Sequence, residues 1–282
     1  MGTSQSSGGP GSGVPMVPSW VDNPPAEAPA GDSPADAPVD GDDAPPAPNA
    51  PPPAPPLAPD RRFLGVSRSL GEYGQTGDTG TMRRAFGHYA RTGYGGARTA
   101  TRRMGGTAAT AGALGSALAG LAAGQPAQPG NSLDPVLLAG RSVDEVMDAV
   151  VEAVRPVDGT QDAEASRAAI RDALTELLTR FPNADLVNLT PEEREFAIER
   201  FTAHDVFHRF DLDVGQNIRE KAPSATTALS RLKQAREYVK ETVAAAFRKL
   251  REAGRTLTAG RITDVVRDAL RETFEVFEGY AE

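Results

Sequence analysis

An all-α protein with an antiparallel helical bundle in its C-terminal half is what this sequence predicts, and three observations carry the expectation. Beyond residue 134, apolar residues recur at steps of three and four, the spacing of one helix face. Two capping boxes, Ser142-Val-Asp-Glu145 and Thr190-Pro-Glu-Glu193, mark helix starts inside that region. No segment alternates apolar and polar residues with the period of two that a half-buried strand requires.

Residues 1–60 hold 17 of the 24 prolines, eight acidic residues and no Lys or Arg. Proline fixes φ and removes a backbone donor, so neither helix nor sheet propagates there. Little apolar surface is available to offset the entropy of ordering, and a disordered tail is expected. One apolar island interrupts it: VPMVPSWV at 14–21, with the single tryptophan, Trp20. It has two readings. Val14, Val17 and Trp20 dock on a partner, or the island folds back on its own domain.

Residues 61–124 carry nine Arg, no Lys and two acidic residues. A helix is predicted over 81–94, with Met82, Phe86 and Tyr89 on one face and Gly95-Gly96 ending it. Further helix is predicted over 97–104 and 107–123. Gly112, Ser116 and Gly120 stand four apart, a spacing that lets another backbone pack close. The stretch 104–124 has only Met104, Leu114, Leu118 and Leu121 as large apolar side chains. A membrane span needs roughly 18–20 strongly apolar residues, so no membrane partner is expected.

A Pro/Gly linker at 125–133 leads into the 134–282 bundle. Its first helix follows Ser142 and carries Val143, Val146, Met147, Val150, Val151 and Val154 until Pro156. The second runs over about 162–181 and ends at Pro182. The third starts at Thr190, with proline at the first helical position, where a missing N–H costs nothing. The fourth follows Pro223 with a seam of Ala225, Leu229, Leu232, Val239, Val243, Ala246 and Leu250, Arg236 filling one position. The fifth places Ile262, Val265, Val266, Ala269, Leu270, Phe274 and Phe277 on one face.

The net charge of -8 averages an acidic tail, a basic middle and an acidic bundle. The absence of cysteine excludes disulfides and thiolate chemistry, and fits a reducing cytoplasm. No positively charged leader precedes an apolar stretch, so a cytoplasmic location is expected.

Signals for catalysis are weak. His204-Asp-Val-Phe-His208 resembles the HExxH zinc-protease helix with Asp in place of Glu. Asp211 shares that face but stands about 10 Å along the axis from His204, and Arg200 lies one turn before it. With no third ligand at hand, neither a metal nor a catalytic residue is expected. No Gly-rich loop carries a phosphate-binding signature, and no cofactor is expected.

The Arg cluster is richer. Arg61, Arg62, Arg68, Arg83, Arg84, Arg91, Arg98, Arg102 and Arg103 interleave with Phe63, Tyr73, Phe86, Tyr89 and Tyr94. That mixture suits nucleic acid, through phosphate contacts and base stacking. The acidic tail would compete with phosphates, which favours a protein surface, with Arg83, Arg84, Arg102 and Arg103 docking a partner.

The first residues, MGTSQS, fit the N-myristoylation pattern, but no second membrane signal follows. The physical logic survives without a lipid. Removal of Met1 exposes the α-amine of Gly2, whose pKa near 7.7–8.0 leaves an appreciable neutral, nucleophilic fraction.

Three stretches, MGTSQSSGGPGSGVPMVPSWV, RRFLG at 61–65 and MRRAFGHYARTGYGGARTATRRMGGTA at 82–108, resemble the B component of the Qat anti-phage defence systems of bacteria. FDLDVGQ at 210–216 is the best local piece of the helical region. The resemblance covers most of the chain outside the Pro/Ala/Asp tract. It implies work beside an ATPase, a QueC-like enzyme and a TatD-like nuclease. QueC-type enzymes use ATP to activate the carboxylate of a 7-deazaguanine for attack by an amine. The resemblance thus implies a non-enzymatic component whose Gly2 accepts a deazaguanine-derived group.

Overall fold

The computed structural model describes residues 13–17, 57–124, 133–138, 140–258 and 260–281. Expectations for the rest of the 1–60 tail, with Gly2 and Trp20, and for most of the linker lie outside the described residues. Among these residues the protein is helical, with a single isolated bridge between Pro15 and Leu57 as its only β pairing.

Helices α1 (Leu64–Thr76) and α2 (Thr79–His88) form a hairpin across Gly77, which takes a positive φ. Asp78 caps α2, its carboxylate accepting from the Thr81 N–H at 2.8 Å. The helix widens into a π turn over Tyr89–Gly93 and stops at Gly95-Gly96. Then follow α3 (Ala97–Arg103), α4 (Gly105–Ala122), the short α5 (Pro135–Leu138), α6 (Val143–Val154) and α7 (Gln161–Arg180). The chain closes with α8 (Pro191–Val214), α9 (Gln216–Lys221), α10 (Ala225–Glu252) and α11 (Ile262–Glu278). Both capping boxes form. The Ser142 N–H donates to Glu145 at 2.9 Å and the Thr190 N–H to Glu193 at 2.7 Å.

Ion pairs fix the helix directions. Asp148 meets Arg171 and Glu152 meets Arg167, so α6 and α7 run antiparallel. Asp172 meets His208 and Glu176 meets His204, which sets α7 against α8. Lys249 with Glu272 and Arg255 with Asp268 do the same for α10 and α11.

The core is continuous from Phe63 to Phe277. Phe86 of α2 stacks on Phe210 of α8 with centroids 4.3 Å apart, and lies 4.9 Å from Phe277 of α11. The Arg/Gly-rich helices and the 134–282 helices therefore share one core; the boundary between them is compositional.

Three local expectations need correction. α1 occupies 64–76, a stretch for which no element is predicted, although Gly65, Gly71 and Gly74 depress helix propensity. Gly74 instead admits the backbone of α9, the Ile218 carbonyl standing 3.2 Å from where a β-carbon would be. In α10, Ala225 and Leu229 are exposed; the buried seam starts at Ala228, keeps Leu232, Val239, Val243, Ala246 and Leu250, and adds Ala235. In α4 the close approach is at Gly112 and Gly115, against Thr263 and Ile262, whereas Ser116 is exposed and nothing crowds Gly120. No helix among the described residues is long and apolar enough to cross a membrane.

Candidate functional site

The first feature is the N-terminal segment. The Gly13 N–H donates to the Ala58 carbonyl at 3.0 Å, and the Ala58 N–H to the Val14 carbonyl at 2.9 Å. Met16 and Val17 are buried and Val14 is exposed. Met16 rests on the Gly95 turn, where φ is +74° and an added β-carbon would stand 2.8 Å from the thioether methyl. A side chain at residue 95 is thus opposed twice, by backbone conformation and by space. Of the two readings of the island, residues 13–17 take the fold-back one. Val17 is buried and Val14 is exposed; Trp20 lies outside the described residues.

The second feature is the arginine surface. Arg84 and Arg102 are exposed. Arg83 is exposed too, but its guanidinium lies over the rings of Tyr238, at 5.9 Å, and Tyr280, at 5.7 Å. Arg103 is half-buried over Tyr94, at 5.8 Å. The rings of Phe63, Tyr73, Phe86, Tyr89 and Tyr94 are at most 2% exposed, so none is free to stack on a base. The aromatic half of the nucleic-acid reading is therefore core. Tyr89 donates its hydroxyl to Asp213 at 2.8 Å and Tyr94 donates to the same oxygen. Burial and the facing Asp213 carboxylate push both hydroxyls up, and burial pushes the Asp213 carboxyl up as well.

The third feature lies between α7 and α8. Asp205, at the position of the protease glutamate, is wholly buried and points away from the histidine pair. It accepts hydrogen bonds from Thr107 of α4 at 2.5 Å, Ser166 of α7 at 2.7 Å and Arg209 at 3.1 Å. Arg209 also reaches Asp162 at 3.0 Å. This residue ties three helices together and has no route to a substrate. Asp211 pairs with Arg219 at 2.6 Å and leaves the histidines.

His204 and His208 instead meet carboxylates that the local motif does not contain. His204 Nε2 lies 3.1 Å from Glu176, and His208 Nε2 lies 3.0 Å from Asp172. Burial of the His204 ring lowers its pKa, against the raising effect of Glu176 and Asp172. Glu176 is also held by Lys240 at 3.1 Å and Arg200 at 3.4 Å. Asp172 and Glu176 sit one turn apart in DALTELL, which reads in sequence as an ordinary solvated helix face. Only the antiparallel docking of α7 on α8 brings them to the histidines. The sequence offers no third group beside the two histidines; in the fold an Asp172 oxygen and one ring nitrogen of each histidine all lie within 4.8 Å of one another.

No curated protein and no solved structure matches this chain. One family does, that described as Qat anti-phage system associated protein QatB, over residues 95–277. That span runs from the Gly95 turn to Phe277, the last buried ring of α11, and the chain belongs to the QatB family of the Qat anti-phage system.

Proposed function

We propose that this chain is a non-enzymatic defence component that presents Gly2 for deazaguanine conjugation by a QueC-like enzyme of the same system. Its folded body docks other components, the ATPase and the TatD-like nuclease, in the cytoplasm.

The observation that carries this reading is the pinned segment at 13–17. Its backbone bonds to Ala58 and the seat of Met16 on Gly95 fix one end of the segment that leads to Gly2. Eleven residue steps separate Gly2 from Gly13. At roughly 3.3–3.6 Å each, Gly2 reaches at most about 36–40 Å from its anchor. An enzyme bound on the body beside that anchor meets the amine at high effective concentration, so modest docking affinity suffices. Val14, Arg84 and Arg102 are exposed and open to such docking. Glycine at the second position adds no side chain to crowd an active site. The neutral α-nitrogen attacks the ATP-activated carboxylate carbon; the C–N amide bond forms as the bond from that carbon to the nucleotide-derived phosphate oxygen breaks, the phosphate group leaves and the nitrogen gives up a proton to solvent.

The test is intact mass of the full chain, expressed with and without the QueC-like enzyme. The expected result is loss of Met1 and, with the enzyme, an added deazaguanine mass on the Gly2 peptide, abolished by Gly2→Pro and weakened by Gly2→Ala. An unmodified or myristoylated Gly2 in the co-expressed protein would overturn the reading.

A further inference from the structure

The facing surfaces of α7 and α8 carry chemistry that the proposed acceptor role does not use. One ligand atom from each of Asp172, His204 and His208 lies within 4.8 Å of the others. Their neighbours define the lone pairs. The Nε2 of His204 is engaged with the Glu176 carboxylate, which places that ring's proton on Nε2. Its Nδ1 therefore carries a lone pair. That atom is buried with no hydrogen-bond partner, on a side chain only 5% exposed. It stands 3.9 Å from a carboxylate oxygen of Asp172. A buried lone pair facing an anionic oxygen is unfavourable unless a positive charge sits between them.

We propose that Asp172, His204 and His208 form a binding site for a zinc-type divalent transition-metal ion that clamps α7 to α8.

Ligand chemistry and spacing support this. Two imidazoles and a carboxylate are a set that zinc takes, at bond lengths of about 2.0–2.2 Å. Ligand atoms around a tetrahedral ion at such distances stand about 3.4 Å apart. Asp172 Oδ2 lies 3.0 Å from His208 Nε2 and 3.9 Å from His204 Nδ1, values on either side of that spacing. Glu176 plays the outer role, orienting a ligating histidine through its other ring nitrogen. Its own charge is also balanced by Lys240 and Arg200. Arg236 acts on Asp172 electrostatically and opposes the ion, so the site is not built for charge alone. Access is available, since the side chains of His208 and Asp172 are 24% and 40% exposed, leaving room for water as a fourth ligand. His208 Nε2–H donates to Asp172 without the ion. Binding moves that proton to Nδ1 through solvent and frees the Nε2 lone pair, with no net proton released.

The experiment titrates the tag-free, metal-stripped full chain with Co(II), read by visible d–d absorption, and then displaces it with Zn(II). One equivalent of Co(II) with the absorption of a low-coordinate site is expected, together with a rise in thermal midpoint. His208→Ala removes the less buried of the two histidine ligands with little cost to folding and should weaken binding at least tenfold. Glu176→Gln should weaken it by about 10–100-fold through the orientation of His204. Absence of stoichiometric Co(II) binding, or binding unchanged in His208→Ala, overturns the site and leaves Asp172–His208 an ordinary ion pair. Neither result bears on the fate of Gly2, which is read by mass.

Discussion

Met16 sits on Gly95, its thioether methyl 2.8 Å from where a β-carbon of that residue would be. The contact joins two distant stretches: the apolar island of the N-terminal segment and the glycine turn that follows the π turn. Met16→Asp would place a carboxylate on this buried seat and release residues 13–17. The expected outcome is hydrogen exchange at the Gly13 and Ala58 amides faster by about tenfold or more, the equivalent of about 1.4 kcal/mol, with the helices unchanged. Unaltered exchange at those two amides would show that the backbone pairing stands without the methionine.

The shared core predicts where the cooperative unit begins. Phe86, Tyr89, Leu114 and Leu118 are wholly buried within the same cluster as Phe210 and Phe277. A fragment limited to 134–282 strips these side chains from α8 and α11 and exposes their rings. Each large buried aromatic lost costs about 3–5 kcal/mol, which exceeds the margin of a typical domain after two or three such losses. The 134–282 fragment should therefore unfold without a sharp transition and bind a hydrophobic dye, whereas 57–282 should melt cooperatively. Limited proteolysis of the full chain should stop near residue 57. A stable product starting near 134 would contradict the continuous core.

Most of the helices of the second half were legible because their signals are local. A capping box, a proline stop or an apolar stripe is carried by neighbours in sequence, and Ser142, Thr190 and the stripe of α11 behave as their patterns require. What was not legible depends on which surfaces meet. α1 is poor in intrinsic propensity and forms because Gly71 and Gly74 let α9 approach. The α10 seam holds at Leu232, Val239, Val243, Ala246 and Leu250 and fails only at its first two positions, Ala225 and Leu229, where Ala228 is buried instead. At the histidine pair, the motif contained two ligands and the wrong acid. Asp211 looked near by helical phase, while Asp172 is 32 residues before His204 and becomes its neighbour only through the α7–α8 register.

Asp205 offers a direct test of that distinction. Its carboxylate is the common acceptor for Thr107, Ser166 and Arg209. Asp205→Ala would leave the Arg209 charge and two hydroxyls short of an acceptor in a buried place. Loss of one partner of such a pair costs about 3–5 kcal/mol. Asp205→Glu restores the letter pattern of a zinc protease yet adds a methylene to a filled site, for about 1–3 kcal/mol. Both variants should lower the denaturation midpoint, and the glutamate variant should gain no peptidase activity. A glutamate variant as stable as the parent would place this side chain in a looser site than the structure shows.

Asp213 should give the stability curve a slope of unusual sign. Burial raises its carboxyl above the ordinary carboxylate value, outweighing the lowering by the Tyr94 and Tyr89 hydroxyls. The native state then holds the proton more tightly than the unfolded chain. Its stabilising contribution is complete below the unfolded value, about pH 3.9, and is lost as pH rises through the folded value. Glu145 acts in the opposite sense. The Ser142 N–H and Arg141 hold its carboxyl down at about 2, so its contribution is present above the unfolded value and lost as pH falls. Denaturant melts of the parent and Asp213→Asn from about pH 4 upward should show the difference moving against the parent as pH rises. A difference independent of pH would mean that Asp213 titrates alike in both states.

The anchor at Gly13 makes the proposed conjugation depend on chain length. If an enzyme holds the body while Gly2 enters its active site, the segment between them must span a set distance. Deleting residues 5–10 removes six steps of chain, about 20 Å of reach, and leaves Gly2 five steps from Gly13 with at most about 17–18 Å. Inserting six Gly/Ser residues at the same place lengthens the reach and lowers the effective concentration only slightly, because that falls as a weak power of length. Conjugation in the co-expressed full system should therefore drop sharply on deletion and change less than about threefold on insertion. The readout is the modified fraction of the N-terminal peptide by mass. Equal modification of the deleted and the full-length chains would show that the enzyme takes Gly2 without holding the body near this anchor.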